Sequence, residues 1–114
     1  MMKIAVVGSR TFNDYGLLKR IVSRIKPTVI VSGGAQGADL LAERYARESG
    51  LELMVFKPNW KRFGRAAGPV RNKEIVAAAD LVIAFWDGKS FGTRSTLKLA
   101  RKMGKPVHVV RFVA

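Results

Sequence analysis

Five short apolar runs set the frame of this chain: Lys3–Gly8, Thr28–Ser32, Leu51–Phe56, Asp80–Trp86 and Pro106–Phe112. Hydrophobic residues occupy adjacent positions in them rather than alternate ones, which predicts strands buried on both faces. The intervening segments have a different period. Leu18, Ile21, Val22 and Ile25 fall at i, i+3, i+4 and i+7, predicting a helix from about Asp14 to Lys26 that Pro27 stops. Ala38, Leu41, Ala42, Tyr45, Ala46 and Ser49 mark one face of a second helix, ended by Gly50. Residues 57–68 read as a polar, basic loop. Pro69 suits the first turn of a third helix reaching Ala79, and Thr93–Met103 forms a fourth. Strands that alternate with helices and are joined by right-handed crossovers allow few arrangements. The expectation is an α/β protein: a Rossmann-like three-layer sandwich with a five-stranded parallel sheet of order 3-2-1-4-5, built as one domain over residues 1–114.

Sheets of this kind bind ligands beyond the carboxyl ends of their strands. Those ends here are Gly8-Ser9-Arg10, Ser32-Gly33-Gly34, Lys57-Pro58 and Trp86-Asp87-Gly88. The richest is the turn Ser32-Gly33-Gly34-Ala35-Gln36-Gly37-Ala38-Asp39. Its spacing is that of a dinucleotide fingerprint with serine in the first glycine position, and it opens a helix whose free amides and dipole favour an anion. It follows the second strand rather than the first, however, and the next strand ends in Phe56-Lys57 with no acid to hold a ribose, unlike an NAD site. A glycine turn required only by packing has the same spelling. Arg10 offers a planar donor fork for phosphate or carboxylate, and Ser9 a hydroxyl beside it, although a surface arginine is the ordinary case.

Gly88-Lys89-Ser90 has the tail of a phosphate-binding P-loop, but Ile83 stands where its first glycine belongs, which excludes a Walker-type ATPase. The better reading has Gly92-Thr93 opening the fourth helix toward the same crevice. Trp60-Lys61-Arg62-Phe63 mixes aromatic and basic residues as base-stacking surfaces do, and a hydrophobic plug anchoring the loop is the competing account of Trp60. Arg71 and Asn72 fall in the first turn of the third helix, where both can face the crevice. Arg94, Lys98, Arg101, Lys102 and Lys105 share a helical face, which is a solvated outer surface in most proteins and a groove for nucleic-acid backbone in others.

Charge narrows the partners further. The chain carries 21 Lys+Arg against 8 Asp+Glu, a formal +13, and residues 89–114 hold seven basic groups and no acid. Such a field concentrates anions, whether nucleotides or nucleic acid, and is equally met in proteins whose surface is merely basic. The absence of cysteine excludes disulfides, thiolate metal sites and cysteine nucleophiles, and the single histidine, His108, excludes a multi-histidine metal site. His108 lies inside the last strand and is expected in the core. No cofactor or metal is expected. No run approaches the roughly 20 apolar residues of a membrane span. The first residues are broken too early by glycine to read as a signal peptide, so a cytoplasmic location is expected. Among acids, Asp14 reads as a helix cap, Asp39 as a first-turn acid that helps cap, and Asp87, at the end of the fourth strand, as the best-placed carboxylate.

Taken together, Gly8-Ser9-Arg10, the Ser32–Asp39 turn, Trp60-Lys61-Arg62, Ala66–Asn72 and Phe85-Trp86-Asp87-Gly88 with Gly92-Thr93 resemble the YspA-related branch of the SLOG superfamily. Its relatives include the Smf/DprA and Lonely Guy proteins. The resemblance runs from about Lys3 to Val110 and implies a Rossmann-like fold that binds nucleotides or nucleotide-derived ligands. The ligand-binding positions it implies are Gly8, Ser9 and Arg10; Ser32, Gly33, Gly34, Gly37 and Asp39; and Arg71, Asn72, Gly92 and Thr93. Lonely Guy enzymes place a glutamate three residues after the threonine, where this chain has Thr96, and their paired glycines are replaced by Ser90-Phe91. The carboxylate that would assist N-glycosidic cleavage is therefore missing.

Three functions follow, in order. The first is a binding or sensor module for a nucleotide-derived small molecule, with its phosphate on Arg10, the Ser32–Asp39 amides and the Gly92-Thr93 helix start, and Trp60 over its base. The second is a nucleoside-phosphate N-glycosidic hydrolase using Asp87 or Asp39. The third, from the charge and the Smf/DprA relatives, is single-stranded DNA binding. The resemblance also implies a homodimer.

Overall fold

The computed structural model describes residues 2–113. Five strands form a parallel sheet in the order β3-β2-β1-β4-β5: β1 (Lys3–Gly8), β2 (Val29–Ser32), β3 (Glu52–Val55), β4 (Leu81–Trp86) and β5 (Val107–Arg111). The helices are α1 (Tyr15–Ile25), α2 (Ala38–Glu48), α3 (Trp60–Phe63), α4 (Ala67–Ala78) and α5 (Phe91–Lys102). The expected fold class and strand order both hold.

Strand alternation sorts the core into two layers, because successive side chains point to opposite faces. Ile4, Val6, Ile30, Ile83 and Phe85 meet Leu18 and Val22 of α1 and Ala42 and Ala46 of α2 on one face. Ala5, Val7, Val31, Val82 and Ala84 meet Ile75 and Val76 of α4 and Leu97 and Ala100 of α5 on the other. The runs are apolar at every position because both faces are covered. Fully burying each of these larger aliphatic side chains contributes about 1.5–3 kcal/mol. Phe12, just past β1, stacks on Phe85 at 4.6 Å between centroids and closes the first layer.

The helix ends carry their own signals. Asp14 Oδ1 accepts from Leu17 N at 3.0 Å, capping α1 as expected, and Lys26 turns left-handed at φ 56° to end it before Pro27. Elsewhere the structure departs from expectation. Residues 57–68 are not simply loop: Asn59 Oδ1 accepts from Arg62 N at 3.1 Å and starts α3, a 3-10 turn spans Gly64–Ala66, and α4 begins at Ala67. The segment shows no helical period because α3 is a single turn with no buried face. α5 starts two residues early, at Phe91. His108 is exposed rather than in the core, since β5 is the sheet's edge and offers that position to solvent. Lys105 leaves the basic stripe: its ammonium donates to Ala79 O at 2.7 Å, neutralising the C-terminal carbonyls of α4.

Candidate functional site

β1 lies between β2 and β4, and the chain leaves it on one side and returns on the other, so the sheet's switch point falls between the ends of β1 and β4. Gly8 pairs in register with Phe85, and Ser9 N donates to Phe85 O at 2.9 Å, which ties the two strand ends together. A cavity of about 380 Å³ opens just beyond them. That volume is within the range of small-molecule sites, about 300–1,000 Å³. One wall is the Gly8–Thr11 segment, a second comes from Arg71, Asn72 and Ile75 of α4, and a third is the first turn of α5.

The α5 wall is built around Asp87. Its Oδ1 accepts from Lys89 N and Ser90 N, each at 2.8 Å, and these amides hold the carboxyl down at about pKa 2. Ser9 Oγ accepts from Asp87 N at 3.1 Å and lies 2.8 Å from Ser90 Oγ, itself 3.0 Å from Asp87 Oδ1. A chain of hydroxyls thus fixes the β1 end to the α5 start. Gly92 and Thr93 border the cavity in the first turn of α5, where backbone amides have no intrahelical acceptor. Thr96 is buried beneath them and donates to Gly92 O at 3.1 Å.

The glycine turn is filled from within. Asp39 Oδ2 accepts from Gly33 N at 3.0 Å and from Ala35 N at 3.4 Å, while Gly34 N donates to Ser32 Oγ at 3.1 Å. Asp39 therefore does not cap its own helix, which has no side-chain cap; it reaches back and occupies the turn where an external phosphate was expected. Burial pushes its carboxyl up to about 6, against the opposing pull of the two amides and of Arg71. Ser32 is fully buried, donates to Glu43 Oε2 at 2.8 Å and does not line this cavity. Gly37 also lies away from the cavities. Its φ is +85°, and an added Cβ would collide with Ser9 O and stand 2.8 Å from Arg10 Cα. The packing account of that glycine is the one observed.

Arg71 and Arg10 differ in commitment. Arg71 Nη1 donates to Gly33 O at 2.7 Å and its Nε to Asn72 Oδ1 at 2.9 Å, so the side chain also braces the glycine turn. Arg10 is exposed and makes no side-chain hydrogen bond or ion pair with the described residues, and it borders the cavity. It borders a second one too, of about 390 Å³, formed with Gly33, Gly34, Lys57, Trp60 and Arg71. Trp60 is 62% exposed, which removes the plug account of it. Phe91, 78% exposed at the mouth of the first cavity, was not anticipated. Its signal was available as an aromatic directly before Gly92-Thr93.

Fold and crevice define a Rossmann-like α/β protein with a polar cavity at the carboxyl ends of parallel strands. The chain belongs to the YspA, cpYpsA-related SLOG family, whose model matches residues 2–63. It is 36% identical over 118 aligned residues to the Gene 61 protein of Mycobacterium phage D29, covering 94% of each chain. Among solved structures it resembles DNA processing protein A (DprA) from Streptococcus pneumoniae, with a TM-score of 0.81, 22% identity and 98% of this chain covered. It also resembles DprA from Helicobacter pylori, whose structure describes a single-stranded DNA binding mode, with a TM-score of 0.73, 25% identity and 95% covered. The chain spans 51% and 64% of those two proteins. No helix among the described residues is long and apolar enough to cross a membrane.

Proposed function

We propose that the 114-residue chain is a binding module for a nucleotide-derived, phosphate-bearing ligand, held in the cavity between the ends of β1 and β4. The observation that carries this reading is Arg10, a guanidinium with no partner among the described residues, at the mouth of a polar cavity that the first turn of α5 also borders. The phosphate sits between Arg10, Ser9 and the Gly92 and Thr93 amides, rather than in the glycine turn that Asp39 fills. Asp87, the better-placed carboxylate, is committed to two amide donors and ionised at neutral pH, so it does not stand ready to protonate a leaving base. Binding without turnover is the reading this favours.

Calorimetric titration with a panel of nucleoside mono- and diphosphates tests it. Losing a charge-assisted contact weakens binding by about tenfold or more, so Arg10→Ala is expected to bind at least that much more weakly than wild type. Equal affinities, or no binding by either protein, would sink the proposal.

A second reading, single-stranded DNA binding, is favoured by the likeness to the Helicobacter pylori protein and by the seven basic, acid-free residues in 89–114. Phosphate contacts make such affinity fall steeply with salt. Oligonucleotide binding that ignores salt would remove it.

A further inference from the structure

The two cavities adjoin, sharing Arg10, Ala35 and Arg71 as a common border, and are taken together as one groove with two lobes. Each lobe has one large aromatic side chain turned to solvent at its edge: Phe91 on the first and Trp60 on the second. Among the described residues the other exposed large hydrophobics are Met2, Leu40, Val55 and Val113, none of them aromatic. The two exposed aromatics of the molecule thus both stand on this groove, with two arginines between them.

From this juxtaposition we infer that the groove takes two nucleotide units joined by a phosphodiester, with one base stacked on Phe91, the other on Trp60, and the linking phosphate over Arg10 and Arg71. The inference rests on the phosphate site proposed above and extends it from one unit to two. Aromatic faces accept any base, and stacking on them is a main source of affinity for single strands. Both aromatics are carried on helical backbone. Phe91 is the first residue of a twelve-residue helix, and Trp60 opens a turn that Asn59 caps. Arg71 uses Nε and Nη1 internally, and its Nη2 makes no hydrogen bond among the described residues. Lys57 adds a third cation to the second lobe, which no acid borders. A single nucleotide would engage only one of the two platforms.

The test compares deoxyadenosine 5′-monophosphate, the 5′-phosphorylated deoxyadenosine dinucleotide and a ten-residue deoxyadenosine strand, using wild type, Phe91→Ala, Trp60→Ala and Arg10→Ala. Both aromatics are exposed, so unchanged melting temperatures are expected to show that their variants fold. The dinucleotide is expected to bind about tenfold or more tightly than the monophosphate. Each aromatic variant is expected to lose about tenfold for the dinucleotide, and only one of them to lose affinity for the monophosphate. Equal binding of mono- and dinucleotide, or aromatic variants that bind the dinucleotide like wild type, would overturn the two-platform groove while leaving the phosphate site standing. Failure of wild type to bind any of the three would overturn both. If the ten-residue strand binds at least as tightly as the dinucleotide, the ligand is a stretch of single strand. If it is excluded, the ligand is a free dinucleotide, and the two-base groove stands in either case.

Discussion

Asp39 Oδ2 accepts from Gly33 N at 3.0 Å, so the turn that would embrace a phosphate already embraces a carboxylate of its own chain. Loop and helix are locked together by this contact. The arrangement makes the turn a structural part whose charge state depends on pH.

Stability is expected to carry that dependence. The folded-state pKa of Asp39, about 6, lies above its ordinary 3.8, so the folded protein holds this proton more tightly than the unfolded one. The associated stability is fully present below about pH 4 and is lost as pH rises through about 6, on the order of 3 kcal/mol. Urea denaturation of wild type and Asp39→Asn at pH 4 and pH 7 measures it. The wild type should gain on the variant by that amount at the lower pH, and a constant difference between them would contradict the assignment.

Gly37 gives a prediction of opposite kind, with no titration in it. Alanine there must adopt φ +85° and press its Cβ into Ser9 O, so Gly37→Ala is expected to cost about 2 kcal/mol or more in denaturant unfolding. Gly92 is the control: it lies in α5 with nothing within 4 Å of an added Cβ and no proline after it, and Gly92→Ala should stabilise by up to about 1 kcal/mol.

Asp39 also marks where sequence reading stops. The strands were legible because Val29-Ile30-Val31 and Val82–Phe85 are apolar on both faces, a pattern that requires a covered parallel sheet. Gly8, Arg10, Asn72 and Thr93 were placed at one crevice because strand ends in such a sheet converge. The Asp39 side chain was not legible in its role, since reaching Gly33 depends on how the intervening turn closes. Position 108 looked buried because Val107 and Val109 flank it in an apolar run, although the expected strand order already set that strand at the sheet's edge. Phe91 was passed over because the resemblance framed it as a missing glycine rather than as an aromatic at a rim.

Arg10 and Arg71 should separate affinity from stability. Arg10→Ala removes an exposed side chain with no partner among the described residues and should leave unfolding free energy within about 0.5 kcal/mol of wild type. Arg71→Ala strips the donor from the carbonyl of buried Gly33 and is expected to cost about 1–3 kcal/mol. Denaturation curves for the two variants give the comparison directly.

Asp87 is expected to act through α5. Its pKa, held at about 2 by the Ser90 and Lys89 amides, lies below its ordinary 3.8, so its contribution is present above about pH 4 and lost as pH falls through about 2. Asp87→Ala should therefore melt below wild type at pH 7, with the gap closing toward pH 2. Asp87→Asn, which keeps an acceptor for both amides, should melt between the two. Thermal melts followed by circular dichroism across that range decide it.

Ligand binding should itself be coupled to Asp39, which borders the same cavity as Arg10 and Arg71. A bound anion raises the cost of the nearby carboxylate's charge, so it lifts the Asp39 pKa further and draws in a proton. By linkage the affinity must then rise as pH falls, over the window from about 7.5 to about 5.5 around the free protein's value of about 6. A dinucleotide without a terminal phosphate is the right probe, because its phosphodiester does not titrate there. The expected gain is on the order of three- to tenfold, with proton uptake visible as a dependence of binding enthalpy on buffer ionisation. In Asp39→Asn both effects should vanish while binding at pH 5.5 persists. A wild-type affinity that stays flat across the window would place the phosphate too far from Asp39 for the two to share this cavity.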